Sequence, residues 1–356
     1  MTHATYEGRL ISADSHVIED PNLWRTRLGN LSELAPLFPR AAGGFHAHPG
    51  GHDPNARQEE MAQDGVSAEI LYPTLALTLF SLPEADLQAA CFRCYNSWLA
   101  EYCSVAPETL IGIGVLPAYD INVAVEEARR CADLGMRGLQ VWQTPPTNLS
   151  FATEHYEALW SAAEEMGLPV SLHILTGFDW SQRVSAGIRG DHVTEGLSAD
   201  AQVLASGFGY RGMTNYKLLA VTNALHDLIV SGALQRHPRL RIVVVENEIG
   251  WIPFVLDQWD KYYARPEFRP PDLLERPSEY FRRQVFATFF NDPPGAHQFD
   301  WWGTQNFMWS SDFPHPNSTW PDSRSFVSRD IGHLPADAQR NLAWANCADL
   351  YRVPVV

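Results

Sequence analysis

Leu10-Ile11-Ser12-Ala13-Asp14-Ser15-His16-Val17 is a short apolar run that stops at two metal-competent side chains one residue apart. On an extended backbone, residues i and i+2 project to the same side, so Asp14 and His16 can reach one ion. A lone Asp-x-His is also what an ordinary strand end followed by a polar turn looks like. The ends of the later apolar runs decide between the two readings. A run over 169–172 stops at His173, and one over 241–245 runs straight into Glu246. Another, over 307–310, gives way to Ser311-Asp312-Phe313-Pro314-His315.

Between these ends the chain alternates strand-like runs with helical periodicity. Further strands are predicted over 67–72, 110–116, 138–142 and 284–289. Helices are predicted over 55–64, 86–105, 121–134, 153–166, 216–235, 249–262 and 335–347, with Gly135 and Gly167 as left-handed C-terminal stops. Eight apolar strands, most followed by a helix, in 356 residues predict an α/β fold, a (β/α)8 barrel spanning 1–356 as a single domain. Two stretches break the rhythm, 19–60 and 176–215, and read as insertions. The second holds Phe178, Trp180, Phe208 and Tyr210 and is expected to cover the barrel mouth as a lid. His46, His48 and His52, in a Gly/Pro-rich stretch with no strand to hold them, read as surface or lid histidines.

Composition narrows the class of partner. Lys and Arg number 26 against 42 Asp and Glu, a net charge of −16, which argues against nucleic acid or an anionic membrane. The amino terminus carries no signal-peptide pattern, and no apolar run is long enough to span a bilayer. Five cysteines (Cys91, Cys94, Cys103, Cys131, Cys347) form no disulfide framework in a chain this size, and Cys91-x-x-Cys94 within a helical pattern reads as buried thiols. A soluble, cytoplasmic homo-oligomer acting on a small molecule is expected.

Barrel enzymes build their active sites at the strand C-termini. Asp14, His16, His173, Glu246 and Asp312 all fall there. Any one of them could be a capping or loop residue. A carboxylate at the end of Arg241-Ile242-Val243-Val244-Val245 is costly to bury unless paired or metal-bound, however. Five such residues at one mouth favour a metal site.

The chain resembles the amidohydrolase-related metalloenzymes, which include decarboxylases of the aminocarboxymuconate-semialdehyde and resorcylate type. The resemblance runs nearly the whole length. It rests on Ile11-Ser12-Ala13-Asp14-Ser15-His16, Asp64-Gly65-Val66, Leu172-His173, Val245-Glu246-Asn247-Glu248-Ile249-Gly250-Trp251 and Trp309-Ser310-Ser311-Asp312-Phe313-Pro314-His315-Pro316. It implies that Asp14, His16, His173 and Asp312 occupy metal-ligand positions. Two features depart from the family: Asp14 replaces the first histidine of a His-x-His, and Glu246 stands where several decarboxylases place a catalytic histidine. The modified lysine that bridges two ions in the wider superfamily has no counterpart near Trp142, which leaves Glu246 as the candidate bridge.

Three carboxylates and two histidines form a hard, oxygen-rich set that suits iron or manganese at least as well as zinc. In this respect the chain is similar to a smaller branch of the fold, the non-haem dinuclear oxygenases that include platensimycin-type diterpenoid hydroxylases. The first expectation is therefore a di-iron monooxygenase. It would use dioxygen to hydroxylate a C–H bond of a bulky apolar substrate, such as a terpenoid or an acyl thioester. The alternative keeps one divalent metal for hydrolysis or decarboxylation of a small carboxylate, amide or ester, with Glu246 or His315 handling protons. A barrel that only binds a ligand leaves five strand-end residues without a role.

Overall fold

A computed structural model describes residues 5–35, 48–177, 215, 217–271 and 273–354. Eight parallel strands pair in chain order: β1 (Leu10–His16), β2 (Val66–Tyr72), β3 (Leu110–Val115), β4 (Gly138–Thr144), β5 (Val170–Gly177), β6 (Ile242–Val245), β7 (Val285–Phe289) and β8 (Phe307–Trp309). The ring closes just past the end of β8. Asp312 N–H donates to Asp14 O at 3.0 Å and His16 N–H to Phe313 O at 2.7 Å. The expected (β/α)8 barrel is thus present, and its seam runs through the strand ends singled out above.

Helices α1 (Pro54–Asp64), α2 (Ala85–Cys103), α3 (Ile121–Asp133), α4 (Glu157–Met166), α5 (Lys217–Val230) and α6 (Ile252–Tyr263) follow the first six strands. Local chemistry sets their ends. Asp53 accepts from Asn55 N ahead of Pro54, and Asp120 from Asn122 N and Val123 N, so both starts are capped. Gly65 (φ 74°) and Gly167 (φ 62°) supply left-handed stops. The predicted helix over 216–235 ends early, because Gly232 turns left-handed at φ 76° and only a short turn, Ala233–Arg236, follows. Among the described residues, two helices of eight residues or more escape the sequence reading, α7 (Pro277–Gln284) before β7 and α8 (Ser323–Ile331) after β8, as do shorter ones such as Leu23–Arg27. The buried faces of α7 and α8 carry Ser278, Gln284, Ser323, Ser328 and Asp330, which blurs the apolar period. The last helical stretch runs from Ala336 to Tyr351 through a π-helical turn at Asn341–Ala345, four residues beyond its predicted end.

Two apolar layers follow from strand alternation. Leu10, Leu71, Leu139, Val141, Leu172 and Val244 face the helices, whereas Ile11, Ala13, Ala68, Ile70, Ile111, Ile113, Val243, Val245 and Met308 fill the barrel. Cys347, Ala348, Tyr351 and Val353 join the inner layer and plug the barrel at one end. Polar groups capable of chemistry gather at the other. The five cysteines are buried and free, as expected, and no described helix is long and apolar enough to cross a membrane.

Gly114 on β3 shows how tightly the helical layer packs. A Cβ there would lie 2.5 Å from Cys131 Sγ and 2.9 Å from Met136 Sδ. Gly114→Ala is expected to cost about 1–3 kcal/mol by overpacking. Cys131→Ala in the same chain should recover part of that loss, because it vacates the clashing sulfur. Chemical denaturation of the two variants, singly and combined, checks both points.

Candidate metal centre

β1 ends in a bulge: Ser12 pairs with Glu69 but Ser15 with Leu71, so three steps on β1 match two on β2. Simple alternation therefore does not place Asp14 and His16 together. The inserted residue re-aims the backbone, and both side chains reach the mouth, with His16 Nε2 3.4 Å from Asp14 Oδ1. His173 lies within β5 rather than at its end, because the strand continues to Gly177. Its ring points inward, with Nε2 3.7 Å from Asp14 Oδ1 and 3.7 Å from Glu246 Oε2. Asp312 Oδ1 is 3.4 Å from His16 Nε2, and His315 Nδ1 is 3.0 Å from Asp312 Oδ1. All six sequence candidates thus converge. Asp14, His16, His173 and Asp312 are fully buried, while Glu246 and His315 keep 12% and 11% of their side-chain surface.

Two of these carboxylates sit on strained backbone. Glu246 and Asp312 have φ of 60° and 57°, a left-handed conformation uncommon outside glycine and concentrated at functional sites. The strain is supported locally. Glu246 N–H donates to Thr288 Oγ1 at 2.9 Å, and Asp292 accepts from Ile249 N and Gly250 N in the following turn.

Hydrogen bonding assigns the imidazole tautomers. His16 Nδ1 lies 2.7 Å from Pro73 O and His173 Nδ1 2.8 Å from Ile174 O. A carbonyl only accepts, so each Nδ1 carries the proton and each Nε2 is the atom turned toward the carboxylates. Burial, with His315 nearby, lowers the pKa of His16, whereas at His173 burial is outweighed by Asp14 and Glu246 and the pKa is raised. Those two Nε2 atoms face one another at 3.3 Å. Both oxygens of Asp14 and both of Asp312 are buried without an aligned donor. Two imidazole Nε2 atoms this close, among buried carboxylate oxygens that lack an aligned donor, are costly to leave so in a protein interior. A divalent cation between them satisfies all of these groups at once. The donors form two overlapping nests, Asp14/His16/His173/Glu246 and His16/Glu246/Asp312/His315, each with its ligand atoms within 4.8 Å of one another.

Electrostatics agree with this placement. Burial, with the Asp14 carboxylate nearby, pushes Asp312 up to about 7 against the pull of His16. Burial and the Asp312 carboxylate raise Glu246. Burial also disfavours the Asp14 carboxylate, but the imidazoles of His16 and His173 outweigh it and hold Asp14 well below the usual range. Burial drives His315 down to about 4, which keeps it neutral and able to accept. Asp312 titrates higher in the fold than in an unfolded chain, near 4. Its contribution to metal-free stability is therefore present below about pH 4 and lost as the pH rises through about 7. A metal must displace that proton. The affinity for Mn2+, measured against a chelator and corrected for the chelator's own protonation, is expected to fall about tenfold per pH unit below about 7 and to level off above it. A flat profile between about pH 5.5 and 8.5 removes Asp312 from the ligands.

Sequence reasoning missed the groups that hold this centre. Arg57 and Glu69 form a buried ion pair beneath it, with side chains 0% and 2% exposed. Tyr72 stands against it, its ring centroid 5.3 Å from that of His173. Thr74 Oγ1 meets His315 Nε2 at 3.1 Å. A glutamate in the middle of the apolar run 66–72 was the available signal. His48 is half-buried rather than a surface or lid residue, pairing with Glu60 at 3.2 Å and packing on Phe313 and Trp320. His52 is exposed, as expected; His46 and residues 178–214 of the expected lid lie outside the described residues.

Comparison with known proteins gives a consistent picture. A model of the amidohydrolase family matches residues 44–353. An amidohydrolase from Mycobacterium avium subsp. paratuberculosis superposes with a TM-score of 0.75 at 18% identity, covering 97% of this chain and 100% of that one. The 5-carboxyvanillate decarboxylase of Sphingomonas paucimobilis gives 0.71 at 21% identity, covering 97% and 99%. A dihydroxybenzoic acid decarboxylase from Polaromonas sp., crystallised with manganese and 2-nitroresorcinol, gives 0.68 at 17%, covering 97% of each chain.

Proposed function

The chain belongs to the amidohydrolase family, and from that premise we propose that it is a divalent-metal-dependent decarboxylase of a small organic acid. The observation that carries the metal is the pair of imidazoles with Nε2 atoms 3.3 Å apart among buried carboxylate oxygens that lack an aligned donor. Asp14, His16, His173 and Asp312 would hold one ion, with manganese favoured by the Polaromonas neighbour and by the oxygen-rich donors, and with iron or zinc as alternatives. An ion held by these residues would supply Lewis-acid chemistry at a substrate oxygen. Glu246 sits at the open edge of the site. Burial and Asp312 raise its pKa, which favours it as the acid that would deliver a proton to the carbon that loses carbon dioxide. His315, neutral and fixed between Asp312 and Thr74, orients the substrate oxygen beside it. The net change is R–CO2− plus H+ giving R–H and CO2.

The test is to supply the manganese-loaded protein with a panel of hydroxybenzoates under strict anaerobiosis, in D2O. Carbon dioxide release, with deuterium at the vacated ring position, is expected. Conversion that stops without dioxygen overturns this reading.

A second reading has its own observation. The nest of His16, Glu246, Asp312 and His315 shares Glu246 with the first, so Glu246 could bridge two ions. Two irons held by those residues would supply dioxygen activation for hydroxylation of a C–H bond, with an external reductant contributing two electrons. Product carrying one atom from labelled dioxygen supports it. None of the three similar structures described above is named as an oxygenase.

A further inference from the structure

The barrel seam carries a device that none of the metal-site arguments uses. Arg57, on α1, is fully buried, and its guanidinium spans the place where β1 meets the segment after β8. Nη1 donates to His16 O at 2.6 Å, and Nη2 reaches Phe313 O at 3.4 Å. Phe313 O also accepts from His16 N, and the Arg57 guanidinium carbon lies 4.7 Å from the Phe313 ring centroid. Nε pairs with Glu69 on β2, and the other oxygen of Glu69 accepts from Ser15 Oγ at 3.2 Å. One planar fork thus grips the carbonyl of a candidate ligand, the carbonyl between Asp312 and His315, and a carboxylate tied to the residue between Asp14 and His16.

We propose that Arg57 and Glu69 form a positioning couple that sets the spacing between the β1 and β8 ligands, and with it the affinity of the centre for its metal. The inference rests on the metal reading above. A guanidinium placed this close to a cation site works against the cation by charge, so a role in affinity has to come from geometry. Glu69 cancels the charge, and the fork fixes two backbone carbonyls at once. Lysine can keep the pair with Glu69, but a single ammonium cannot reproduce a planar three-way grip. Neither residue touches the substrate side, so both act through the ligands.

The experiment measures the Mn2+ dissociation constant by chelator competition in wild type, Arg57→Lys and Glu69→Gln, alongside the melting temperature of each metal-free protein. Glu127→Gln serves as control. It breaks another nearly buried acid, paired with Arg93 and Arg130 on the outer helices. Groups that orient metal ligands are worth roughly 10–100-fold in affinity, so both seam variants are expected to bind Mn2+ that much more weakly while folded. Glu127→Gln is expected to melt lower and to keep the wild-type constant. A folded Arg57→Lys with wild-type affinity overturns the inference, as does an equal loss of affinity in Glu127→Gln. Should Glu69→Gln fail to fold, Arg57→Lys decides alone. Wild type that binds no Mn2+, Fe2+ or Zn2+ overturns the metal reading itself, a different result from metal-binding variants that match wild type.

Discussion

His173→Ala yields a folded barrel that gains no stability from divalent metal, although its metal-free form melts within a few degrees of metal-free wild type. The expectation follows from what His173 does when no ion is bound. Its Nε2 faces that of His16 at 3.3 Å and lies 3.7 Å from both Asp14 and Glu246. Truncation opens a cavity in a fully buried site, a cost of order 2–5 kcal/mol for large-to-small changes. It also removes the close Nε2 pair and admits water to Asp14, whose oxygens have no aligned donor, relief of the order of the 1–3 kcal/mol charged for an unsatisfied buried group. The two terms offset in large part. With metal at about 100 times its dissociation constant, wild type gains about 2.7 kcal/mol, and a variant short of one ligand gains nearly none. Thermal melts with and without Mn2+ give the increment directly. An undiminished increment in His173→Ala would mean that the ion lies elsewhere.

Glu246→Gln separates the two chemistries. The change is nearly isosteric, and either side chain must accept the same φ of 60°, so the fold should not respond. In the one-metal decarboxylase Glu246 is the proton donor. The variant then keeps its ion and loses roughly two to four orders of magnitude in turnover, the usual worth of a general acid. In the two-metal oxygenase Glu246 is the bridge, and a neutral amide bridges poorly. The ion count per chain then drops along with activity. Metal analysis beside turnover reads both quantities from one preparation, and the decarboxylase reading requires the first pattern.

The barrel was legible because its strands are short, largely apolar runs buried on both faces, and because the functional side chains stand where such runs stop or break. Glu246 after three consecutive valines is the clearest case. What eluded the sequence was not periodic. The bulge at Ser12–Ser15 changes how Asp14 and His16 come to share a site, yet it leaves no mark on the apolar pattern. β5 runs on to Gly177 through polar Thr176, so His173 reads as a strand end when it lies inside the strand. Arg57, Met61 and Asp64 form the buried stripe of α1 at helical spacing, but a charged residue on such a stripe counts against burial until its partner is known. That partner, Glu69, is twelve residues on, in another element. The preference for iron came from donor chemistry, which does not separate iron from manganese, and from the resemblance to the dinuclear oxygenases. Two of the three similar structures described above carry decarboxylase names, and one of those two holds manganese.

The central claim is that this mouth holds a metal, and the metal content of the protein tests it most directly. The chain is purified without oxygen, incubated in turn with Mn2+, Fe2+ and Zn2+, freed of loose ions, and analysed for each element. One divalent ion per chain is predicted for wild type and none for His173→Ala. Wild type that retains no ion from any of the three contradicts the account.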